Sequence, residues 1–95
     1  MTEGDPSPST VPSTKAPALR ELVIFLARAL VEHPDEVVVE EVEEPDATVF
    51  ELKVAESDLG RVIGRQGRTA KALRTVLSAA SAKVQRRAIL EILED

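Results

Sequence analysis

The residues with chemical potential lie in one stretch, Leu59-Gly60-Arg61-Val62-Ile63-Gly64-Arg65-Gln66-Gly67-Arg68-Thr69-Ala70-Lys71, which holds three of the four glycines. Gly64 and Gly67 bracket two polar residues between a short apolar segment and a longer helical pattern. Glycine at both ends lets the chain turn tightly, and the missing side chains let a ligand's own backbone come close. Backbone N–H groups at the start of the following helix, with its positive dipole end, favour an anion such as phosphate. Arg65, Arg68 and Lys71 add mobile positive charge, and Arg61 lies shortly before them. Other chemistries fit poorly. The spacing G-x3-G-x2-G is not a dinucleotide fingerprint, and no Lys-Ser/Thr follows as in a phosphate-binding P-loop. A bare helix–turn–helix corner would not need basic residues on both sides. The single histidine, His33, precedes a proline at a helix end, where capping or exposure is its expected role. Without a paired nucleophile and base, catalysis has no constellation to stand on, so no enzyme is expected.

The elements that must position this loop are legible from periodicity. Leu19, Leu22, Val23, Leu26 and Leu30 recur at helical spacing, and His33-Pro34 stops the pattern, giving a first helix over about 18–32. Residues 36–43, EVVVEEVE, are β-branched and acidic and predict a strand whose inward face is open at this stage. Glu44-Pro45-Asp46-Ala47 reads as a turn, followed by TVFELKV, where Phe50, Leu52 and Val54 alternate with Val49, Glu51 and Lys53. The two strands predict a hairpin. Ser57 offers an N-cap for a short helix over Asp58–Ile63. After Gly67, Ala70, Leu73, Val76, Leu77 and Ala80 share one helical face. The last segment fits a helix continuing from residue 67, through Val84, Ala88, Ile89, Ile92 and Leu93. It fits equally a strand with Ala88, Leu90 and Ile92 on one face, and periodicity alone leaves both open.

Composition bounds the rest. Residues 1–17 hold four of the six prolines, three serines and three threonines with no apolar run, which predicts a disordered tail ahead of one domain over 18–95. There is no cysteine, so disulfides and thiolate metal sites are excluded, and no metal or cofactor is expected. The longest apolar run, Leu22–Ala27, is too short to span a bilayer, which makes the cytoplasm the default and a membrane partner unexpected. Net charge is −5, yet Glu32–Glu56 holds ten acids and one lysine while Asp58–Arg87 holds eight basic residues and one acid. Partner choice follows the local field, so an anionic partner suits the second half despite the chain average.

Val62-Ile63-Gly64-Arg65-Gln66-Gly67 followed by Lys71 resembles the signature of KH domains, whose GXXG loop clamps about four nucleotides of single strand. The order helix, strand, strand, helix, GXXG, helix, final segment is similar to the type II variety. With the acidic strand and the IGRQGRTAKALRT block, residues 18–95 look most like the short bacterial KH proteins of the KhpA family. The resemblance implies an α+β fold of order α-β-β-α-α-β, with a three-stranded mixed sheet covered on one face by three helices. It therefore implies a final strand, and a basic variable loop around Lys83–Arg87. It also implies single-stranded RNA as partner, contacted by Arg65 and Gln66, with Ile63 and Ala70 lining a groove for bases and Arg61, Gly64, Gly67, Arg68 and Lys71 completing the site. A further implication is an RNA chaperone or post-transcriptional role linked to cell-wall homeostasis and cell shape. The partner would be a second copy or a larger Jag-type KH protein, and no small-molecule substrate is implied. Two phenylalanines and no Tyr or Trp count against an aromatic stacking platform and suggest sequence-tolerant binding. The rival reading is a protein-interaction module of the same fold with little RNA affinity.

Overall fold

A computed structural model of the protein describes residues 15–83 and 86–94. Helix α1 runs Lys15–Leu30, strand β1 Val38–Glu44, β2 Ala47–Lys53, helix α2 Leu59–Ile63, α3 Arg68–Ala82 and strand β3 Ala88–Ile92. Short 3₁₀ turns at Pro34–Glu36, Glu56–Asp58 and Arg65–Gly67 join them. The helix thus takes in Lys15, Ala16 and Pro17, which composition alone puts in the tail, while residues 1–14 lie outside the described residues.

The sheet order is β1-β2-β3, with β1 and β2 antiparallel and β2 and β3 parallel. The order and mixed sheet are those the KH resemblance implies. The C-terminal ambiguity resolves as a strand, because β3 gains a full ladder along β2, from Thr48 opposite Ala88 to Leu52 opposite Ile92. A continued helix would have left a two-stranded hairpin, a marginal sheet in water. Helices α1 and α3 pack on the sheet and α2 packs on both of them, so all three share one face.

The core explains the register. Val39, Phe50, Leu52 and Leu90 point to the helices and meet Leu19, Val23 and Ala27 of α1 and Leu73 and Leu77 of α3. The inward face of β1 is the one holding Val39, with Glu41 and Glu43 in the same alternating row and Val38 and Val42 outward. Two expectations need correcting. Val76 is not in the buried stripe of α3 but stands 43% exposed, since the stripe is narrowed to Ala70, Leu73, Leu77 and Ser81. Ser57 does not cap α2: a 3₁₀ turn precedes that helix, Asp58 takes the N-cap position, and no side-chain cap bond forms there.

Candidate nucleic-acid interface

The loop is built from backbone conformations that side chains resist. Gly64 ends α2 at φ 78°, ψ 170°, its N–H donating to the Gly60 carbonyl at 2.8 Å. A Cβ there would fall on Thr69, 2.7 Å from its Cβ and 2.8 Å from its backbone nitrogen, so glycine is required for space as well as for φ. Gln66 (φ 57°, ψ 26°) and Gly67 (φ 73°, ψ 14°) are both left-handed, and the Arg68 N–H closes on the Arg65 carbonyl. That is the pattern of a type I′ turn, whose two central residues both need positive φ. Gln66 is the only non-glycine with positive φ among the described residues. Holding it there costs on the order of 1 kcal/mol, and such strain clusters at binding sites.

This turn pushes Arg65 and Gln66 out into solvent and launches α3 with Arg68 and Lys71 one turn apart on an exposed face. None of Arg65, Arg68 and Lys71 joins an ion pair among the described residues. Other predicted members sit differently. Arg61 is held within the protein, its guanidinium 2.8 Å from Glu32 Oε2 and 3.7 Å from Asp58 Oδ1. Ile63 is half-buried and offers part of its side chain, whereas Ala70 is 5% exposed and offers almost none.

A depression of about 250 Å³ lies between α3 and β3, lined by Arg74, Leu77, Ser78, Arg87, Ala88, Ile89 and Leu90. It continues the α3 face that carries Ala70, since Ala70 and Arg74 are four residues apart on one side of the helix. Arg74 Nε donates to the Leu90 carbonyl at 3.3 Å, bracing the helix on the strand. Sequence reading missed Arg74, Arg87 and Ile89 as wall residues. The i, i+3, i+6 row Arg68, Lys71, Arg74 was the available signal for the first, the basic loop Lys83–Arg87 pointed toward Arg87 without singling it out, and nothing local marks Ile89. In the basic segment before β3, Arg86 turns inward: its guanidinium pairs with Glu43, and its Nε donates to the fully buried Thr48 hydroxyl at 2.6 Å. Thr48 in turn donates to Glu43 at 3.1 Å. The cation serves the fold, and the adjacent Arg87 is the exposed one.

Comparison with known proteins bears directly on this geometry. Residues 20–92 match the family described as KhpA/KhpB, KH domain. The chain belongs to that family. It is 48% identical over 75 residues to the RNA-binding protein KhpA of Clostridium acetobutylicum, covering 79% of this chain and all of that one. It is 48% identical over 77 residues to the KhpA of Aquifex aeolicus, with 81% and 98% covered. Among solved structures, Aquifex aeolicus Era bound to GDP and AlF4⁻ superposes with a TM-score of 0.61 at 22% identity. That match covers this whole chain but only 38% of Era. Era in complex with MgGDPNP and nucleotides 1506–1542 of 16S ribosomal RNA gives the same TM-score, with 99% of this chain and 37% of that one covered. These two likenesses establish the fold. The family is an RNA-binding one and not a family of enzymes. Among the described residues, no helix is long and apolar enough to cross a membrane, and no group of His, Cys, Asp or Glu is placed to hold a metal ion.

Proposed function

We propose that this chain binds single-stranded RNA, with the turn at Gly64–Gly67 gripping the sugar-phosphate backbone. The observation that carries this reading is the left-handed Gln66–Gly67 pair, which projects Arg65 and Gln66 beside the exposed Arg68 and Lys71. A backbone needs close approach and positive charge more than it needs base-specific groups, and this loop supplies both. Bases would lie along Ile63 and the α3 depression, where Leu77, Ala88, Ile89 and Leu90 offer aliphatic contact without base-specific groups and Arg74 and Arg87 add charge. The naming of its relatives as RNA-binding proteins supports the reading. Family resemblance extends it to a cytoplasmic RNA chaperone or post-transcriptional regulator connected with cell-wall homeostasis and cell shape.

The test is the double substitution Arg65→Asp with Gln66→Asp. Both side chains are exposed, so circular dichroism and thermal melting should show an intact fold while RNA affinity is lost. Unchanged affinity in the folded double variant would sink the clamp.

A second observation favours self-association or a Jag-type partner. Between α1 and α3 runs a wholly apolar hollow of about 250 Å³ lined by Leu26, Ala29, Leu30, Ala72, Leu73, Val76 and the Thr69 methyl side. It adjoins Phe25, 69% exposed, through Ala29. Sedimentation of Phe25→Glu with Val76→Glu should show a lighter species than the unaltered protein. Equal masses at equal concentration would remove this surface as a face for self-association.

A further inference from the structure

Asp58 is 1% exposed, yet its carboxylate serves no cap and no part of the proposed clamp. Both oxygens reach across to the corner where α1 ends. Oδ1 accepts the Glu32 N–H at 3.1 Å, and Oδ2 accepts the His33 N–H at 3.0 Å and meets His33 Nδ1 at 2.9 Å. Arg61 Nε stands 3.7 Å from Oδ1 while the same guanidinium holds Glu32 at 2.8 Å. Four groups from the α1 corner and the start of α2 thus form one clasp. Helix α2 is a single turn of five residues, too short to be stable by itself, so its direction is set by what grips it. The grips are this clasp at one end and, along the helix, the buried Val62 with the half-buried Leu59 and Ile63, and Gly64 follows directly.

We propose that Asp58 is a positioning residue for the glycine loop, aiming α2 through the Glu32–His33 corner, and that protonation of His33 tightens that aim. This rests on the RNA reading above for its functional consequence only. The charged groups facing the His33 ring are Asp58 from the α2 side, Glu32 from its own corner, and Glu36 from the following 3₁₀ turn, with Arg61 beyond Asp58. Three acids against one cation favour the imidazolium.

The two partners shift in opposite directions, as a pair should. The hydrogen bond and charge of Asp58 raise the His33 value above its ordinary 6.5, against a smaller opposing effect of burial, with Glu36 and Glu32 adding to the rise. Burial pushes the Asp58 carboxyl up, but the N–H groups of Glu32 and His33 and the His33 ring together outweigh it and bring it below 3.8. The contribution of His33 is therefore complete below 6.5 and fades as pH rises through its raised value. The contribution of Asp58 is present above 3.8 and fades as pH falls through its lowered value. The clasp is tightest between those limits and loosens on the alkaline side.

The test follows backbone amide and His33 ring signals of the full chain by NMR without RNA, from pH 5.5 to 8.5. The Gly64, Gln66 and Gly67 amides should titrate with the midpoint of the His33 ring. His33→Asn, which keeps an N–H donor toward Asp58 but does not ionise in this range, should flatten them. Amides that stay flat while the His33 ring titrates overturn the linkage. In parallel, affinity for an oligouridylate should strengthen about two- to threefold from pH 8.5 to pH 6, a modest gain because the ring is part-exposed. His33→Asn should show no such gain. Tracking amides with a flat wild-type affinity profile overturn the role in binding. Absence of RNA binding at every pH would fall on the RNA reading instead, with the amide titration deciding the linkage on its own.

Discussion

The two glycines of the loop are required for different reasons, which substitutions should separate. At Gly64 an added methyl meets Thr69 side chain and backbone, and the positive φ compounds the strain. Gly64→Ala should lower stability by about 1–3 kcal/mol in chemical denaturation, the range of overpacking at a fixed backbone. Gly67 has nothing within 4 Å of a would-be Cβ, so Gly67→Ala carries only the conformational cost, about 1 kcal/mol. Equal losses at the two positions would contradict the crowding at Thr69. Gln66→Gly tests the strain itself: it should leave stability level or raise it by up to about 1 kcal/mol, because relief of the left-handed strain competes with the added freedom of the unfolded chain. It should also weaken RNA binding by removing an exposed side chain from the turn. A clear loss of stability would mean that the Gln66 side chain supports the fold.

At the level of elements, the sequence was informative wherever a signal is local. The period of α1, the alternation of β2, the Pro45-Asp46 turn and the glycine spacing each placed an element within a few residues. The ladder of β3 on β2 was not legible by period, because Ala88–Ile92 satisfies both helical and alternating patterns and only the partner strand decides. Similarly, Ser57 has the right chemistry for a cap, but Asp58 is drawn into a contact 25 residues away in sequence. Arg86 is another such case. Its neighbours Lys83 and Arg87 suggest a basic loop, yet its partners Glu43 and Thr48 lie on the hairpin, 43 and 38 residues earlier. Arg86→Met should therefore destabilise, by about 1–2 kcal/mol, since it strips the buried Thr48 hydroxyl of one partner and takes from Glu43 its ion pair. RNA affinity of the folded variant should change less than on Arg87→Met, which removes an exposed cation at the depression. The reverse ranking in a binding assay would show that Arg86 leaves its pair to meet RNA. Ser57→Ala, by contrast, should be neutral within about 0.5 kcal/mol.

The whole molecule is electrically two-sided. On the sheet face away from the helices, the register sets Glu40 opposite Glu51 and Glu51 opposite Glu91, three carboxylates in a row across all three strands. Beside them runs an aliphatic row of Val42, Val49 and Ile89. None of the three glutamates is in an ion pair among the described residues. Strands about 4.8 Å apart bring like charges close enough to oppose folding by roughly 0.2–1 kcal/mol per pair. The glycine loop lies on the opposite, helical side, with Arg65, Arg68 and Lys71. A polyanion approaching this chain therefore meets repulsion from one face and attraction from the other. Backbone binding releases counterions, so a clamp on about three or four phosphates should give a slope of log affinity against log salt near −2 to −3. Replacing Glu40, Glu51 and Glu91 together with glutamine leaves every loop contact in place and removes only the opposing field. Association with a labelled single strand should then quicken, most at about 0.01 M salt, where charges reach some 30 Å, and least at 0.15 M, where they reach about 8 Å. Dissociation should not change, because the proposed clamp leaves the glutamates on the face away from the bound strand, and the salt slope should steepen slightly as the low-salt repulsion disappears. The triple variant should also unfold at higher denaturant, with the gain shrinking as salt is added. Stopped-flow rates at the two salt concentrations decide it: association rates that coincide with wild type at 0.01 M, or an effect confined to dissociation, would mean that the acidic face lies where incoming RNA does not feel it.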